Sequence, residues 1–325
     1  MLLTEINING TVNYVSIEGH GLVHNWIPRI MSFDAPMLAT PSDHGGFARM
    51  QFGNITLMPL LFSADYPPPV SCPIAIYYTD TTEAARELVF IGTAHLNSFD
   101  RESVTYSLYG PTYNETIADA TAYNNTLNSV LTAILTAIPE ITTVDTTYAR
   151  AVSPNVTYTT SGVTLAVDLA SAIAEFCSHL IYVVGSTAYL VDMKLDNGTW
   201  TLTEYKFFAF PKYPRKPPVS IITSGGQSVP SVYPYGQPLN VAPYHATGAN
   251  ILTAITDILA IENAQRVTLD VPMIAGNFPL PGRKIVIPDT AHVANLSSWV
   301  RARKLRYDFL NNQINIEGEG VVVAA

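Results

Sequence analysis

The stretch Asn54-Ile-Thr-Leu57, Ile74-Ala-Ile-Tyr-Tyr78, Leu88-Val-Phe-Ile-Gly-Thr-Ala94, Ser103-Val-Thr-Tyr-Ser-Leu-Tyr109 decides how this chain is read. Each run alternates apolar and polar residues with period two, as half-buried strands do. Tyr66-Pro-Pro-Pro-Val70 between them reads as an extended surface loop, because three prolines donate nothing to a ladder. Together the runs spell one small antiparallel barrel, and nothing in them has a catalytic signature.

Working outward, Asn13-Tyr-Val-Ser-Ile17 and Gly46-Phe-Ala-Arg-Met-Gln-Phe52 also alternate, with turns at Gly45-Gly46 and Gly53-Asn54. Residues 1–110 are therefore expected to form a strand-rich unit around one small barrel. At Pro111 the period changes. Leu127, Val130, Leu131, Ile134, Leu135 and Ile138 repeat at three and four, predicting a helix that Pro139 stops. Leu165, Leu169, Ile173, Phe176 and Leu180 form a second helical stripe, with Asp168 and Glu175 off it. Two hairpins follow, turning at Gly185-Ser186 and at Asp196-Asn-Gly198. Residues 111–210 thus read as an inserted domain of helices on a small sheet.

Residues 211–248, rich in Pro, Gly and Tyr, read as a crossing segment that returns to complete the first barrel or else links domains. Residues 249–325 hold a third helix (Ile251, Leu252, Ile255, Ile258, Leu259), the strand Val267-Thr-Leu-Asp-Val271 and a closing hairpin turning at Asn311-Asn312. The predicted class is α+β and β-dominated.

Composition narrows the function. The chain has 325 residues, 48% hydrophobic and only 13% charged, against about 25% charged in ordinary soluble domains. So sparsely charged a surface implies that other subunits cover much of it. The formal charge of −9 argues against a protein that grips nucleic acid through its overall field. Met1-Leu-Leu-Thr-Glu5 has no basic start or apolar run, so no signal peptide is expected. No stretch approaches the roughly 20 apolar residues of a membrane span. Asn-x-Ser/Thr sites at Asn54, Asn114, Asn155 and Asn197 are what a Thr- and Asn-rich chain yields by chance.

Three parts of the sequence carry a family likeness: Phe90-Ile-Gly92-Thr-Ala94 with Val104-Thr-Tyr-Ser-Leu108, Ala172-Ile-Ala-Glu-Phe-Cys177 with its hairpins, and Leu280-Pro-Gly-Arg-Lys-Ile-Val-Ile287 before the closing hairpin. In these the chain resembles the tail hub proteins of long-tailed phages and contractile injection systems. The resemblance implies two tube-like antiparallel β-barrels per copy, residues 1–110 and 249–325, with residues 111–210 as an inserted helix-plus-small-sheet domain, and a homotrimer whose six barrels form a ring matching a hexameric tail tube. It also implies partners: the tail tube, distal tail or baseplate proteins, and a central tip or fibre protein, with DNA only in transit. The chain would be made in the host cytoplasm and act in the virion. The chain ends at Ala325 with no appended lysozyme or peptidase, so envelope digestion is expected of a separate protein.

The seven histidines are His20, His24, His44, His95, His179, His245 and His292. His20 and His24 have helical ligand spacing, but glycines break that segment, and no HExxH exists. No nucleophile elbow, Walker loop or dinucleotide fingerprint appears. Glu83 and Glu87 read as a solvated charged edge. Cys72 and Cys177 lack metal-ligand spacing and read as buried thiols. No enzyme activity, cofactor or metal is expected.

The most pointed charge feature is a C-terminal basic stripe, Arg283, Lys284, Arg301, Arg303, Lys304 and Arg306, with a phase slip near Lys304 that predicts a bulge. It fits an acidic neighbouring subunit, a solvated face, or nucleic acid, though it lacks the aromatic interleaving of single-strand binders. Arg301, Arg303 and Arg306, with Trp299 and Tyr307, are the candidate interface residues. The alternative to a hub is a receptor-binding or adhesin module, which would carry its aromatics in exposed loops such as Tyr233-Pro-Tyr235.

Overall fold

A computed structural model describes residues 2–8, 11–16, 27–28, 30–34, 37–51, 53–59, 67–78, 87–151, 154–194, 199–200, 211–243, 248–272, 281–286, 299–308, 311 and 313–320. The fold is α+β and dominated by strands, with three helices among the described residues.

Strands form where period-two alternation put them. Ser71–Tyr78, Glu87–Phe99, Val104–Tyr109 and Asn54–Leu57 pair antiparallel in that order. Leu2–Ile8 and Thr11–Ser16 extend the sheet on one side and Ile30–Phe33 on the other. With the short Ile27–Pro28, which runs parallel to Thr11–Ser16, these eight strands make a nearly closed and otherwise antiparallel barrel. Cys72, Ile74, Ile76 and Tyr78 alternate inward along one strand, Val104, Tyr106 and Leu108 along another.

The second sheet is built on the closing hairpin Trp299–Asp308 with Gln313–Gly320, flanked by Lys284–Val286 and Gln265–Pro272. The register slips between Ala302 and Lys304, which is the bulge anticipated near Lys304. A Cβ on Gly318 would lie 1.9 Å from the Arg301 carbonyl oxygen, so only glycine lets the two strands approach there. Ile6, Ile55 and Ile76 of the first sheet and Leu269, Leu305 and Ile316 of the second belong to one continuous core. Each such side chain contributes roughly 1.5–3 kcal/mol through burial.

Gly46–Phe52, read as a single strand, is divided between two sheets. Gly46–Phe47 runs parallel to His179–Val184 in the inserted sheet, while Arg49–Gln51 pairs with Met37–Ala39, which itself pairs with Lys304–Arg306 in the second sheet. The cause is the preceding turn. Gly45 has φ +136°, and a Cβ there would sit 2.2 Å from the His179 carbonyl oxygen. Residues 37–51 thereby stitch the second sheet to the insertion.

The insertion contains α1 (Leu127–Thr136) and α2 (Ala166–Phe176) packed on a four-stranded sheet whose central hairpin is His179–Val184 and Thr187–Asp192. The Thr126 side chain caps α1 by accepting from the Ser129 N–H. α2 ends sooner than its apolar stripe suggested. Cys177 caps it, Ser178 turns into the left-handed region (φ 56°), and Leu180 belongs to the next strand.

The crossing segment does not join the first barrel's sheet among the described residues. Lys212 bridges to Thr268 of the second sheet. Val219–Ser224, Gln227–Pro230 and Gln237–Asn240 make a separate three-stranded sheet. Val219 and Ile222 of that sheet share the insertion's core with Ile251, Ile255 and Ile258 of α3 (Gly248–Glu262). The apolar positions of 219–222 find a helix to cover them, not a barrel edge. The turn expected at Asp196-Asn-Gly198 and residues 201–210 lie outside the described residues. No described helix is long and apolar enough to cross a membrane.

Candidate functional site

Where second sheet, insertion and crossing segment meet, charged side chains from five pieces of chain converge. Asp43 and His44 come from the Gly45 turn, Glu175 from α2, Lys216 from the crossing segment, Glu262 and Arg266 from the end of α3 and the strand after it. Arg303 and Glu319 come from the closing hairpin. Asp43 accepts from Arg266 at 2.7 Å and faces Arg303 Nη1 at 3.0 Å, and Lys216 bonds to both Asp43 and Glu262. Arg303 Nε pairs with Glu319. His44 lies between two carboxylates, Nδ1 3.0 Å from Glu262 and Nε2 3.3 Å from Glu175.

The electrostatics follow from this packing. Burial raises the Asp43 carboxyl, but Arg303, Lys216 and Arg266 outweigh it and hold the group below its ordinary value. Burial lowers His44, yet Glu175 and Glu262 more than reverse this and raise it. Glu262 is opposed by burial and lowered by His44 and Lys216. Glu319 is raised because burial exceeds the pull of Arg303, Arg301 and Arg266. Asp43, Glu175, Glu262 and Glu319 are thus interleaved with Lys216, Arg266, Arg303 and His44. Such a knot adds little net stability over a well-packed apolar contact, but it penalises any register that leaves a charge unpaired.

A second cluster ties the insertion to α3. Arg150 donates to Asp192 at 2.7 and 3.2 Å and to Asp257 of α3 at 3.1 Å, and Lys194 donates to Asp257 at 2.6 Å. Behind it His179 donates Nδ1–H to the Cys177 carbonyl at 2.8 Å, and burial lowers its pKa. The Cys177 thiol is fully buried and pushed up, and Cys72 is pushed up to about 11, so both stay protonated.

A cleft of about 340 Å³ opens beside the knot, lined by Pro41, Phe47, Ser171 and Glu175 and rimmed by the exposed ion pair Arg49–Asp168 at 2.6 Å. Ser171 Oγ accepts from the Phe47 N–H at 3.0 Å, which fixes its floor.

The five candidate interface residues separate. Arg301, Arg303 and Tyr307 are only 6%, 5% and 6% exposed and are packed within the chain. Trp299 is half-buried, with Lys284 5.2 Å and Arg301 5.6 Å from its ring centre, and Arg306 is exposed. Arg283, from the same stripe, lies over the Tyr148 ring at 3.4 Å. Most of the stripe therefore meets acids and rings of its own chain. The missed partners were individually visible as Asp43, His44, Glu175, Lys216, Glu262 and Glu319, but nothing local marks them as one group. Glu319 gives no signal either, since the alternation of its strand turns Ile314, Ile316 and Gly318 inward and puts Glu319 on the other face with Glu317. His95 is an exposed strand residue with its ring edge on Tyr109 at 4.9 Å. His20, His24, His245, His292 and Glu83 lie outside the described residues.

No protein-family model and no curated protein sequence matches this chain. Solved structures do. The 43 kDa tail protein of prophage MuSo2 from Shewanella oneidensis aligns at 11% identity over 98% of this chain and 97% of its own, with a TM-score of 0.59. A tail protein from Neisseria meningitidis aligns at 10% identity over 98% and 96%, with a TM-score of 0.57. A prophage tail protein from Listeria monocytogenes aligns at 9% identity over 99% and 95%, also with 0.57. At these identities the likeness lies in the fold: over nearly its whole length, this chain is folded as those three tail proteins are.

Proposed function

We propose that this chain is a structural hub of a phage-type tail or baseplate, acting as a homotrimer. Each copy contributes two barrel units, and six such units close a ring joining the tail tube to distal tip or baseplate proteins. The observation that carries this reading is the single core shared by a sheet from residues 2–109 and a sheet built mainly from residues 265–320. A rigid two-barrel unit of this kind is what a pseudo-sixfold ring needs from three chains. Ring closure also covers exposed sheet edges.

On this reading the Asp43–Glu319 cluster keeps the insertion in fixed register on the second sheet, and DNA passes through without being gripped, consistent with the net charge of −9. Trp299 and Arg306 remain the candidate contacts with neighbours. The domain division follows the sheets, with residues 37–51 as a tie between them. Mass photometry and electron microscopy of the purified chain test the proposal. A three-copy annulus with a central hole is expected, and a monomer at all concentrations would overturn it. One observation favours the second reading, a receptor-binding module: Tyr235 is 98% exposed in a loop. Binding of the purified protein to host envelope fragments would support that alternative.

A further inference from the structure

Asp168, Ser171 and Glu175 stand three and four residues apart, on one face of α2. Each grips the segment 44–49, part of the stretch that stitches the second sheet to the insertion. Asp168 pairs with Arg49 at 2.6 Å, Ser171 Oγ accepts from the Phe47 N–H at 3.0 Å, and Glu175 Oε1 lies 3.3 Å from His44 Nε2. The cleft lies along these contacts, with α2 on one side and residues of 39–49 on the other.

The Glu175 contact differs from the other two in depending on a proton. An imidazole has two N–H groups only when it is charged, and His44 has a carboxylate on each nitrogen, Glu262 on Nδ1 at 3.0 Å and Glu175 on Nε2. A neutral ring donates to one of them alone and turns a lone pair on the other. Three observations say which contact is lost. The Nδ1–Glu262 contact is the shorter. The Glu262 side chain is 7% exposed against 34% for Glu175, so Glu175 is the one that can turn to water. Glu262 keeps Lys216 on Oε2 with Arg266 at 3.9 Å, whereas Glu175 stands in the last turn of α2, where no base offsets its charge against the helix C-terminus. The other charges at this turn, Asp43 with Lys216, Arg266 and Arg303, pair with one another.

We propose that His44 is a proton-operated latch: the charged ring holds α2 on segment 44–49, and the neutral ring keeps Glu262, releases Glu175 and lets the cleft widen. One contact of three is released, so the outcome is local opening and not unfolding. The latch is closed at low pH and opens as pH rises, because the two carboxylates favour the charged ring and raise its pKa against burial. It acts within one chain and is independent of the ring proposed above.

The test combines ¹⁵N-histidine ring spectra, in which His44→Gln identifies the signals, with amide exchange corrected for its intrinsic pH dependence, both from pH 5 to 9. Above its titration midpoint the His44 ring is expected as the Nδ1–H tautomer. Exchange in residues 44–49 and 168–176 is expected to quicken about tenfold, as loss of a hydrogen bond to a charged group gives, with residues 71–78 of the first barrel unchanged. Glu175→Gln keeps the side chain's shape at a partly exposed site, and its amide accepts from the charged ring and donates to the neutral one. In that variant the quickening should vanish. The latch is overturned by a neutral ring protonated at Nε2, by a His44 that does not titrate in this range, by exchange that quickens equally in Glu175→Gln, or by none in the native chain.

Discussion

The two charged clusters use the same residue types and answer pH in opposite directions. In the knot between second sheet and insertion, His44 has a carboxylate at each ring nitrogen, and the pair raises its pKa against the opposing effect of burial. In the insertion, His179 sits behind Arg150 and Asp192, gives one proton to a carbonyl and is buried neutral. The difference lies in what each cluster joins. The Arg150 group fastens α3 to the sheet beside it, elements that already share apolar packing. The Asp43–Glu319 group joins five pieces of chain at a junction where charge pairing sets the register.

If that contrast is real, cutting the knot should cost most. Arg303→Ala removes the partner of a fully buried Glu319 and one of three cations on Asp43, and should lower stability by about 3–5 kcal/mol in urea unfolding. Arg150→Ala leaves Lys194 on Asp257 and opens a site already 22% exposed at Arg150. A loss of about 1.5–3 kcal/mol is expected there, as for hydrogen bonds to charged groups. Equal losses would mean the knot is no more than a second copy of the insertion's cluster. The double change Arg303→Met/Glu319→Leu sharpens the point, since replacing a buried pair by apolar residues should recover most of what Arg303→Ala loses.

The histidines give a smaller and directional test. His44 has a raised pKa, so its contribution is fully present below its unfolded value of 6.5 and is lost as pH rises through the higher folded value. His179 has a lowered pKa, so its contribution is present above 6.5 and is lost as pH falls toward the folded value. Unfolding midpoints followed from pH 5 to 9 should lose their alkaline-side decline in His44→Gln and their acid-side decline, near 6.5, in His179→Gln. Ring titrations by NMR that fall on the same side of 6.5 would erase the contrast.

Ser71–Tyr78, Val104–Tyr109 and Gln265–Pro272 were legible because period two survives in them, whereas Ile30–Phe33 and Ala122–Thr126 keep no such period. The bulge near Lys304 was legible for the same reason, as a break in that period. The Gly45 crossover was not. Gly46–Phe52 alternates as well as any strand, and only the His179 carbonyl, remote in sequence, forbids a side chain at Gly45 and divides the run. The stripe was misleading because composition reports charge and not its partners: Arg303 meets Asp43 and Glu319, residues 260 and 16 positions away. The 219–240 sheet was hidden for another reason, as its apolar positions are few and become a core only once α3 lies on them.

The smallest effect belongs to the pair that borders the knot without being part of it. Arg49 and Asp168 are 2.6 Å apart, but their side chains are 61% and 54% exposed. Water screens them, and the long arginine gives up rotamer freedom to hold the contact, so Asp168→Asn should shift stability by less than about 0.5 kcal/mol. Asp168 also sits in the first turn of α2, where a negative charge favours the helix, so a slight loss is expected rather than a gain. A loss above about 1 kcal/mol in the same urea series would show that the cleft's rim shares the knot's load, and the boundary between buried joint and open surface would have to move outward to include α2's first turn.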